Sequence, residues 1–490
     1  MNPHQRLRRR ATVVKNGGRG IVGRMEHEPS TQDTLPDTRP HEDCEAGRTG
    51  TAPAPRRDLK FFICSRDRPS TLRRCVDGLG KVLREASLDR QAICYIVDDS
   101  TRPEFSAHEH SIGDTADSNG FQIEVVDRRR QDAITGRLAG LDHGLLTLLQ
   151  SATRKLGHGP WDLAGVRNFA FLLAYCYSNE DDLVVFLDDD ILLTSAVYRG
   201  RLVEVDGVSL IRELMANTPR GNLVASGAAY VGQVDGSVMD HLRLVSEDTL
   251  RVLSLDPDGG APKDQAAVLL DELRLFPAAL PARLEFAGAR VITEGPGISG
   301  ALLATTPASL QSHFLPRCYN EDWIWLALLG RPGTAINRAS CRALHASPPQ
   351  REIGSAVLDY QNIGEIVYRA VRSAIEDATL GCSALEQCEE TMSEDHFLSA
   401  KESLLREMNS LLDFRARIER SLSGWSKEDE FCVSAQNAFA GIERCIKDAV
   451  VSTEAVNHAA LNLWFRHYLA GIPAWQHLLD EARARLCEDV

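Results

Sequence analysis

Short apolar runs that close on polar or acidic residues alternate with helical stretches between residues 59 and 191. The runs are LKFFICS, QAICYIVDDS, FQIEVV and DLVVFLDDD, and a long helical stretch is predicted from about Gln131 to Leu156. These runs are apolar without a break, which predicts strands that are buried on both faces of a sheet. Buried strands that alternate with helices predict an α/β fold with a mostly parallel sheet and helices on both faces.

The composition and apolar periodicity divide the chain into three segments, as a length of 490 residues suggests. Residues 1–57 contain little periodic apolar sequence, which predicts a disordered N-terminal arm. Residues 58–350 carry the strand and helix alternation and form the predicted α/β domain. Residues 351–490 consist of long helical runs with few strand signals, which predicts a helical C-terminal domain.

The net charge and the hydropathy of the chain limit which partners it can bind and which cellular compartment it is expected in. The formal net charge is -14, which argues against a general nucleic-acid coat, because duplex binding needs a cationic face. No run of about 18 apolar residues is present, so the sequence predicts no membrane span. The basic N-terminus lacks the apolar segment of a secretory signal, and the twelve cysteines form no C-x-x-C pair. We therefore expect a cytoplasmic protein with reduced thiols.

The most informative local feature is the triple acid Asp188, Asp189 and Asp190, which follows the apolar run VVFL. Three adjacent carboxylates repel one another and need a cation or strong donors when they are desolvated. A hard divalent ion such as Mg²⁺ or Mn²⁺ suits oxygen ligands. Ligands of open α/β sheets bind at the carboxyl ends of strands, where these acids fall. The structural alternative is a solvated acidic turn.

Three phosphate-binding families account less well for this motif. The run VVFLDDD has the form of a haloacid dehalogenase nucleophile motif, but three predicted strands precede it. It also has the form of a Walker B segment, yet the chain contains no G-x-x-x-x-G-K-[ST] loop. No G-x-G-x-x-G fingerprint follows the first predicted strand, which argues against a dinucleotide site.

Polar residues at the ends of other predicted elements are candidates for the same ligand. Carboxylates and hydroxyls there could accept or donate hydrogen bonds to a nucleoside, and arginines near a helix start favour a diphosphate. These candidates are Ser65, Arg66, Arg68, Asp98, Asp99, Arg167 and Asn168.

The order of these segments resembles the nucleotide-sugar glycosyltransferases of the GT-A fold, especially the family-2-like inverting enzymes. The resemblance covers about residues 59–349 and rests on ICSRDRP, YIVDDS, GVRNFA, FLDDD, GPGISGALL, NEDWIW and ALH, in that order. It implies that Asp99, with Asp98 and Arg66, contacts the nucleoside of the donor. It also implies that Asp188 and Asp190 serve as the D-x-D pair facing the ribose and the metal-bound diphosphate.

The same resemblance implies the remaining roles. His345 falls where the family often supplies a further metal ligand, so the implied metal ligands are Asp188, Asp190 and His345. Gly300 would line the wall near the donor sugar. Asp322 would be the catalytic base, with Glu321 as the second choice. This chain departs from the family in having DDS where DDGS is usual and a full triple acid in place of D-x-D.

The sequence therefore predicts a metal-dependent, inverting transfer of a sugar from a nucleoside diphosphate sugar to an acceptor hydroxyl or amine. A UDP-sugar is the favoured donor, the acceptor is unknown, and the helical tail is a candidate surface for homo-oligomers. Two other classes stay open. One is a sugar-1-phosphate nucleotidyltransferase, and the other is a non-catalytic nucleotide-binding interaction protein.

Overall fold

A computed structural model of the chain describes the predicted α/β segment and helical tail, but not the predicted N-terminal arm, residues 1–57. The described residues are 58–112, 120–138, 140, 146, 148–149, 163–198, 201–217, 223–232, 300–330, 335–346, 355–378, 384–422, 443–444 and 446–487. Much of the helix predicted between Gln131 and Leu156 therefore lies outside the description.

The described strands form a large sheet and a separate hairpin. They are β1 (Leu59–Ser65), β2 (Ala92–Asp98), β3 (Gln122–Val126), β4 (Leu183–Asp188), β5 (Ile191–Leu192), β6 (Thr194–Tyr198), β7 (Arg201–Asp206), β8 (Leu223–Gly232), β9 (Leu302–Thr305) and β10 (Ala335–His345). The large sheet has the order β3-β2-β1-β4-β9-β8-β10-β5, and β6 pairs with β7. Strands β3, β2, β1 and β4 are parallel, as are β8 and β10, whereas β9 and β5 run antiparallel to their neighbours.

The described helices pack against the sheet or form the tail. They are α1 (Pro69–Ala86), α2 (Arg128–Arg137), α3 (Leu163–Tyr177), α4 (Gly207–Ala216), α5 (Glu321–Leu329), α6 (Ser355–Asp377), α7 (Ala384–Thr391), α8 (Glu394–Leu422) and α9 (His458–Cys487). Helix α2 begins three residues earlier than predicted, because the Asp127 side chain accepts the backbone N–H of Arg130 at 2.8 Å and caps the helix there.

Alternate residues of the central strands enter two separate apolar cores. In β1, Phe61 packs with α1 and α4, whereas its neighbour Phe62 packs with α3 and α9. Successive side chains of a strand point to opposite faces, so helices on both faces bury the whole strand. The structure confirms the predicted α/β fold class, a mixed and mostly parallel sheet with helices on both faces, followed by a helical region.

The helical region has a core of its own and also joins the core of the sheet. Phe397 of α8 and Phe465 of α9 are buried together with Ile324 of α5. Further along α9, Trp475 and Leu478 are buried in the core that α3 shares with the sheet. The chain from Arg56 to Val490 forms one compact unit, and the boundaries of the three predicted segments stay predictions. Among the described residues, no helix is both long enough and apolar enough to cross a membrane.

The strand register brings the acidic motifs to one edge of the sheet. Ser65 is the register partner of Asp98, and Cys64 is the partner of Asp188. The backbone N–H of Asp99 donates to the carbonyl of Ser65 at 2.8 Å, which extends the pairing past the strand ends. The ends of β1, β2 and β4 therefore lie side by side, as the sequence predicted for a parallel sheet.

Candidate active site

Asp189 lies fully buried between the ends of β4 and β1. Ser65 Oγ donates to Asp189 Oδ2 at 2.7 Å, and Arg68 Nη2 lies 2.7 Å from Asp189 Oδ1. Burial raises the pKa of Asp189 to about 7, with Arg68 opposing the rise and Asp190 adding to it. This carboxylate therefore depends on the Arg68 guanidinium for its charge balance near neutral pH.

Arg68 joins Asp189 to a second pair, Asp190 and His345. Arg68 Nη1 donates to Asp190 Oδ2 at 2.8 Å, and His345 Nε2 lies 3.3 Å from Asp190 Oδ1. The pairing of β10 with β5 sets His345 opposite Ile191, the residue after Asp190. The Arg68 side chain keeps 28% of its surface exposed, while both carboxylates are buried. Arg68 is thus the cation of this cluster that a ligand can reach.

Arg167 holds the first acid of the triple motif and the first acid of α5. Arg167 Nη2 donates to Asp188 Oδ1 and Oδ2 at 2.9 Å each, and Nη1 donates to Glu321 Oε1 at 2.6 Å. Burial raises the pKa of Glu321 to about 8, although Arg167 opposes the rise and Asp322 supports it. One guanidinium therefore faces three carboxylates, which favours retention of a proton on Glu321.

Gly300 fixes the orientation of Asp322 at the start of α5. The Gly300 N–H donates to Asp322 Oδ2 at 2.5 Å, and the Trp323 N–H donates to Oδ1 at 2.9 Å. A Cβ atom at position 300 would lie 2.7 Å from Arg167 Nη1 and 2.9 Å from Asp322 Cβ. A side chain there requires Arg167 or Asp322 to move, so glycine is needed for this close approach.

Asp98 and Asp99 have different tasks at the end of β2. Asp98 accepts hydrogen bonds from Ser106 Oγ at 3.1 Å and from the Ala107 N–H at 2.8 Å, so it orders the following loop. The buried Asp99 carboxylate receives Arg128 Nη2 at 3.3 Å. Sequence reasoning missed Arg128, although its place directly after FQIEVVD was a usable signal, because it follows the end of the neighbouring strand β3.

The other sequence candidates have local partners. Arg66 Nε lies 3.9 Å from Asp67 Oδ2. Asn168 Nδ2 donates to the Phe314 carbonyl at 3.1 Å, and Asn168 Oδ1 accepts the Phe314 N–H at 2.6 Å. Asn168 lies in the second turn of α3, where backbone N–H groups are engaged within the helix. In the described contacts it fixes the segment before α5 and makes no hydrogen bond to the acidic cluster.

The two tryptophans of α5 point in different directions. Trp325 is fully buried and its Nε1 donates to the Ser312 carbonyl at 3.0 Å. Trp323 is partly buried, and its ring lies 5.4 Å from the ring of Tyr368 in α6. Trp325 is therefore a core residue, whereas Trp323 contributes to a surface next to the helical tail.

Two of the three predicted metal ligands, Asp190 and His345, meet in this structure. One buried carboxylate beside one imidazole fits a Mg²⁺ or Mn²⁺ ion that takes further ligands from substrate phosphate and water. The third, Asp188, has both oxygens engaged by Arg167. Within the described part of the chain, no three or more His, Cys, Asp or Glu side chains are grouped to hold a metal.

Comparisons with known proteins add little to this geometry. No protein-family model matches the chain, and no curated protein matches it. Among solved structures it is similar to the galactosyltransferase LgtC in complex with donor and acceptor sugar analogues. The identity is 13% and the TM-score is 0.19, over 41% of this chain and 53% of that one. The chain thus matches about half the length of that structure, and the fold assignment rests on the sheet described above.

Proposed function

We propose that this protein transfers a sugar from a nucleoside diphosphate sugar to an acceptor hydroxyl or amine, with inversion at the anomeric carbon. The main support is the joining of remote segments at one sheet edge. Arg68 bridges Asp189 and Asp190 there. Arg167 bridges Asp188 and Glu321, and Glu321 lies 154 positions after Arg167 in the sequence. Two fixed cations among acids at the carboxyl ends of strands suit an anionic donor that leaves as a diphosphate.

The nucleoside end of the donor is assigned to the end of β2. Asp99 is buried and held by Arg128, whose side chain keeps 32% of its surface exposed. A nucleobase or ribose at this place would meet a guanidinium and the neighbouring backbone groups. Asp98 would act indirectly, since its carboxylate orders the loop that follows β2.

The diphosphate is assigned to Arg68. Its guanidinium is the partly exposed cation of the cluster and can form charge-assisted hydrogen bonds to phosphate oxygens. Asp190 and His345 would hold a divalent ion, which when bound neutralises charge on the departing diphosphate. Arg167 is buried and engaged by two carboxylates, so we assign it a positioning role in place of the phosphate contact expected from sequence.

Asp322 is the proposed base. In a single displacement, the acceptor oxygen or nitrogen bonds to the anomeric carbon, its proton passes to Asp322, and the nucleoside diphosphate leaves with the electron pair of the broken bond. Both Asp322 oxygens accept backbone N–H groups and keep further lone pairs for a substrate proton. Glu321, with its raised pKa, is less suited to the role near neutral pH.

Calorimetric titration of the full chain tests the donor assignment. UDP, GDP, dTDP and CDP are titrated with and without Mn²⁺ into wild type, Arg68→Met and Arg74→Met. We expect Arg68→Met to weaken nucleotide diphosphate binding about 10-fold or more, the scale of a lost charge-assisted bond. Arg74 is exposed in α1, the helix that begins directly after Arg68, and its variant should bind as wild type does. Equal affinity in both variants would remove Arg68 from the diphosphate site.

Product analysis separates sugar transfer from the other classes. Release of a nucleoside diphosphate from a nucleotide sugar, by transfer or slow hydrolysis, is the expected activity. Release of pyrophosphate from a nucleoside triphosphate and a sugar 1-phosphate would instead indicate a nucleotidyltransferase. The preference for a UDP-sugar, the homo-oligomer through the helical tail and the cytoplasmic location stay predictions.

A further inference from the structure

We propose that a cavity beside α5 binds a neutral sugar unit of the acceptor, an inference that rests on the proposed function. The cavity has a volume of about 330 Å³ and lies between α5, α6 and α8. We call it the helical cavity, and its lining includes Trp323, Glu365, Tyr368, Arg369, Arg372 and Ser403. This volume lies within the usual range for small-molecule sites.

Two aromatic rings form one wall of the helical cavity. The rings of Trp323 and Tyr368 have their centroids 5.4 Å apart and are tilted by 58°. Trp323 is partly buried, so part of its ring is available to a ligand. Tryptophan and tyrosine rings combine a large apolar surface with a polar edge, which suits the C–H face of a pyranose ring.

The polar wall carries both signs of charge in balance. Arg369 Nε lies 3.5 Å from Glu365 Oε2, and Arg372 Nη2 lies 3.0 Å from Glu376 Oε1. Paired guanidinium and carboxylate groups offer donors and acceptors to neighbouring hydroxyls, while each charge is already matched. An anionic ligand would be attracted by a guanidinium group but repelled by the carboxylates of Glu365 and Glu376. The lining therefore favours a neutral ligand rich in hydroxyl groups.

The helical cavity adjoins the proposed base through α5. Trp323 directly follows Asp322 and donates its backbone N–H to that carboxylate. Asn320, which precedes α5, donates Nδ2 to Glu365 Oε1 at 2.9 Å. A sugar in this cavity would thus lie beside the helix that carries the proposed base.

Saturation-transfer NMR on the full chain, without donor, tests this inference. The probes are methyl α-mannoside, methyl β-glucoside, methyl β-galactoside and methyl N-acetyl-β-glucosaminide, with glucose 6-phosphate as the anionic comparison. Ser403→Trp places an indole in the cavity. Glu402→Trp adds the same side chain one residue earlier on α8, where the native side chain is 58% exposed. Arg372→Gln is a milder variant at a side chain that is 52% exposed.

We expect at least one methyl glycoside to bind to wild type and Glu402→Trp, to lose its signal in Ser403→Trp, and to bind about 10-fold more weakly in Arg372→Gln. Binding of glucose 6-phosphate alone, binding of no glycoside, or unchanged binding in both cavity variants would overturn the inference. Nucleotide titration of the same variants keeps the two proposals distinct. If glycosides bind but no nucleotide does, the proposed sugar transfer is rejected and the sugar-binding cavity is supported. If nucleotides bind but no glycoside does, only the proposed cavity is rejected.

Discussion

Replacement of Arg167 by methionine gives the sharpest test of how the acidic edge of the sheet is held together. The Arg167 side chain is 6% exposed and makes three hydrogen bonds of 2.6 to 2.9 Å to Asp188 and Glu321. Methionine keeps much of the apolar stem but removes the positive charge. Both carboxylates would then lose their common partner inside the fold.

Loss of one partner of a buried ion pair costs about 3–5 kcal/mol, because the remaining charge is left without compensation. Asp188 keeps 20% of its side chain exposed, which lets water relieve part of this cost, whereas Glu321 is 5% exposed. Glu321 can also avoid the penalty by retaining its proton, since its pKa is already about 8 in the presence of Arg167. We therefore expect a loss of about 3 kcal/mol at pH 7.5, the lower end of the range.

Urea unfolding followed by tryptophan fluorescence measures this loss in wild type, Arg167→Met and the control Arg130→Met. Arg130 forms a 2.9 Å ion pair with Glu124 but is 43% exposed, so its variant should lose less than about 1 kcal/mol. A loss no larger than the control's would refute this reasoning.

Three further variants probe the same edge. Asp322→Asn should lower kcat for sugar transfer by about 100-fold or more, with nucleotide affinity unchanged in titration, because the base is lost. Gly300→Ala should lower the free energy of unfolding in urea by about 1–3 kcal/mol, because its Cβ would lie 2.7 Å from Arg167 Nη1. In the control Gly136→Ala the new Cβ meets nothing within 4 Å, so that variant should be neutral or slightly stabilising. The folded protein holds a proton on Glu321 between pH 4.5 and about 8 that the unfolded chain has lost, so this group makes stability fall as pH rises through that range. Glu321→Gln should therefore flatten the unfolding free energy against pH, and an unchanged slope would show that Glu321 does not titrate there.

Much of the fold could be predicted from the sequence, because a strand that is buried on both faces is apolar along its whole length. The runs LKFFICS and DLVVFLDDD became β1 and β4, and their shared direction brings their polar ends together. The hairpin of β6 and β7 was not predicted, since its residues alternate between partly buried and exposed positions and include few continuous apolar residues. The antiparallel direction of β9 depends on the chain path over residues far apart in sequence, which no local pattern records.

Most members of the candidate site were predictable from the sequence, but their pairing was not. Carboxylates at strand ends follow from the strand assignment itself, and Asp190 and His345 lie 3.3 Å apart, while their implied role as metal ligands stays a prediction. The partners of Arg167 depend on contacts across 154 positions, so its role as a link between Asp188 and Glu321 could not be derived from spacing. Asn168 shows the same limit, because its hydrogen bonds to the Phe314 backbone join residues 146 positions apart.

The packing of α9 against α3 has a consequence for synthesis on the ribosome. Tyr175 of α3 bonds to Asp480 of α9 at 2.7 Å, 305 positions later, and Trp475 lies in the same core as Phe171. In the nascent chain the side of α3 that faces away from the sheet is therefore uncovered until α9 has been synthesised. Until then the growing polypeptide exposes the kind of surface that chaperones recognise.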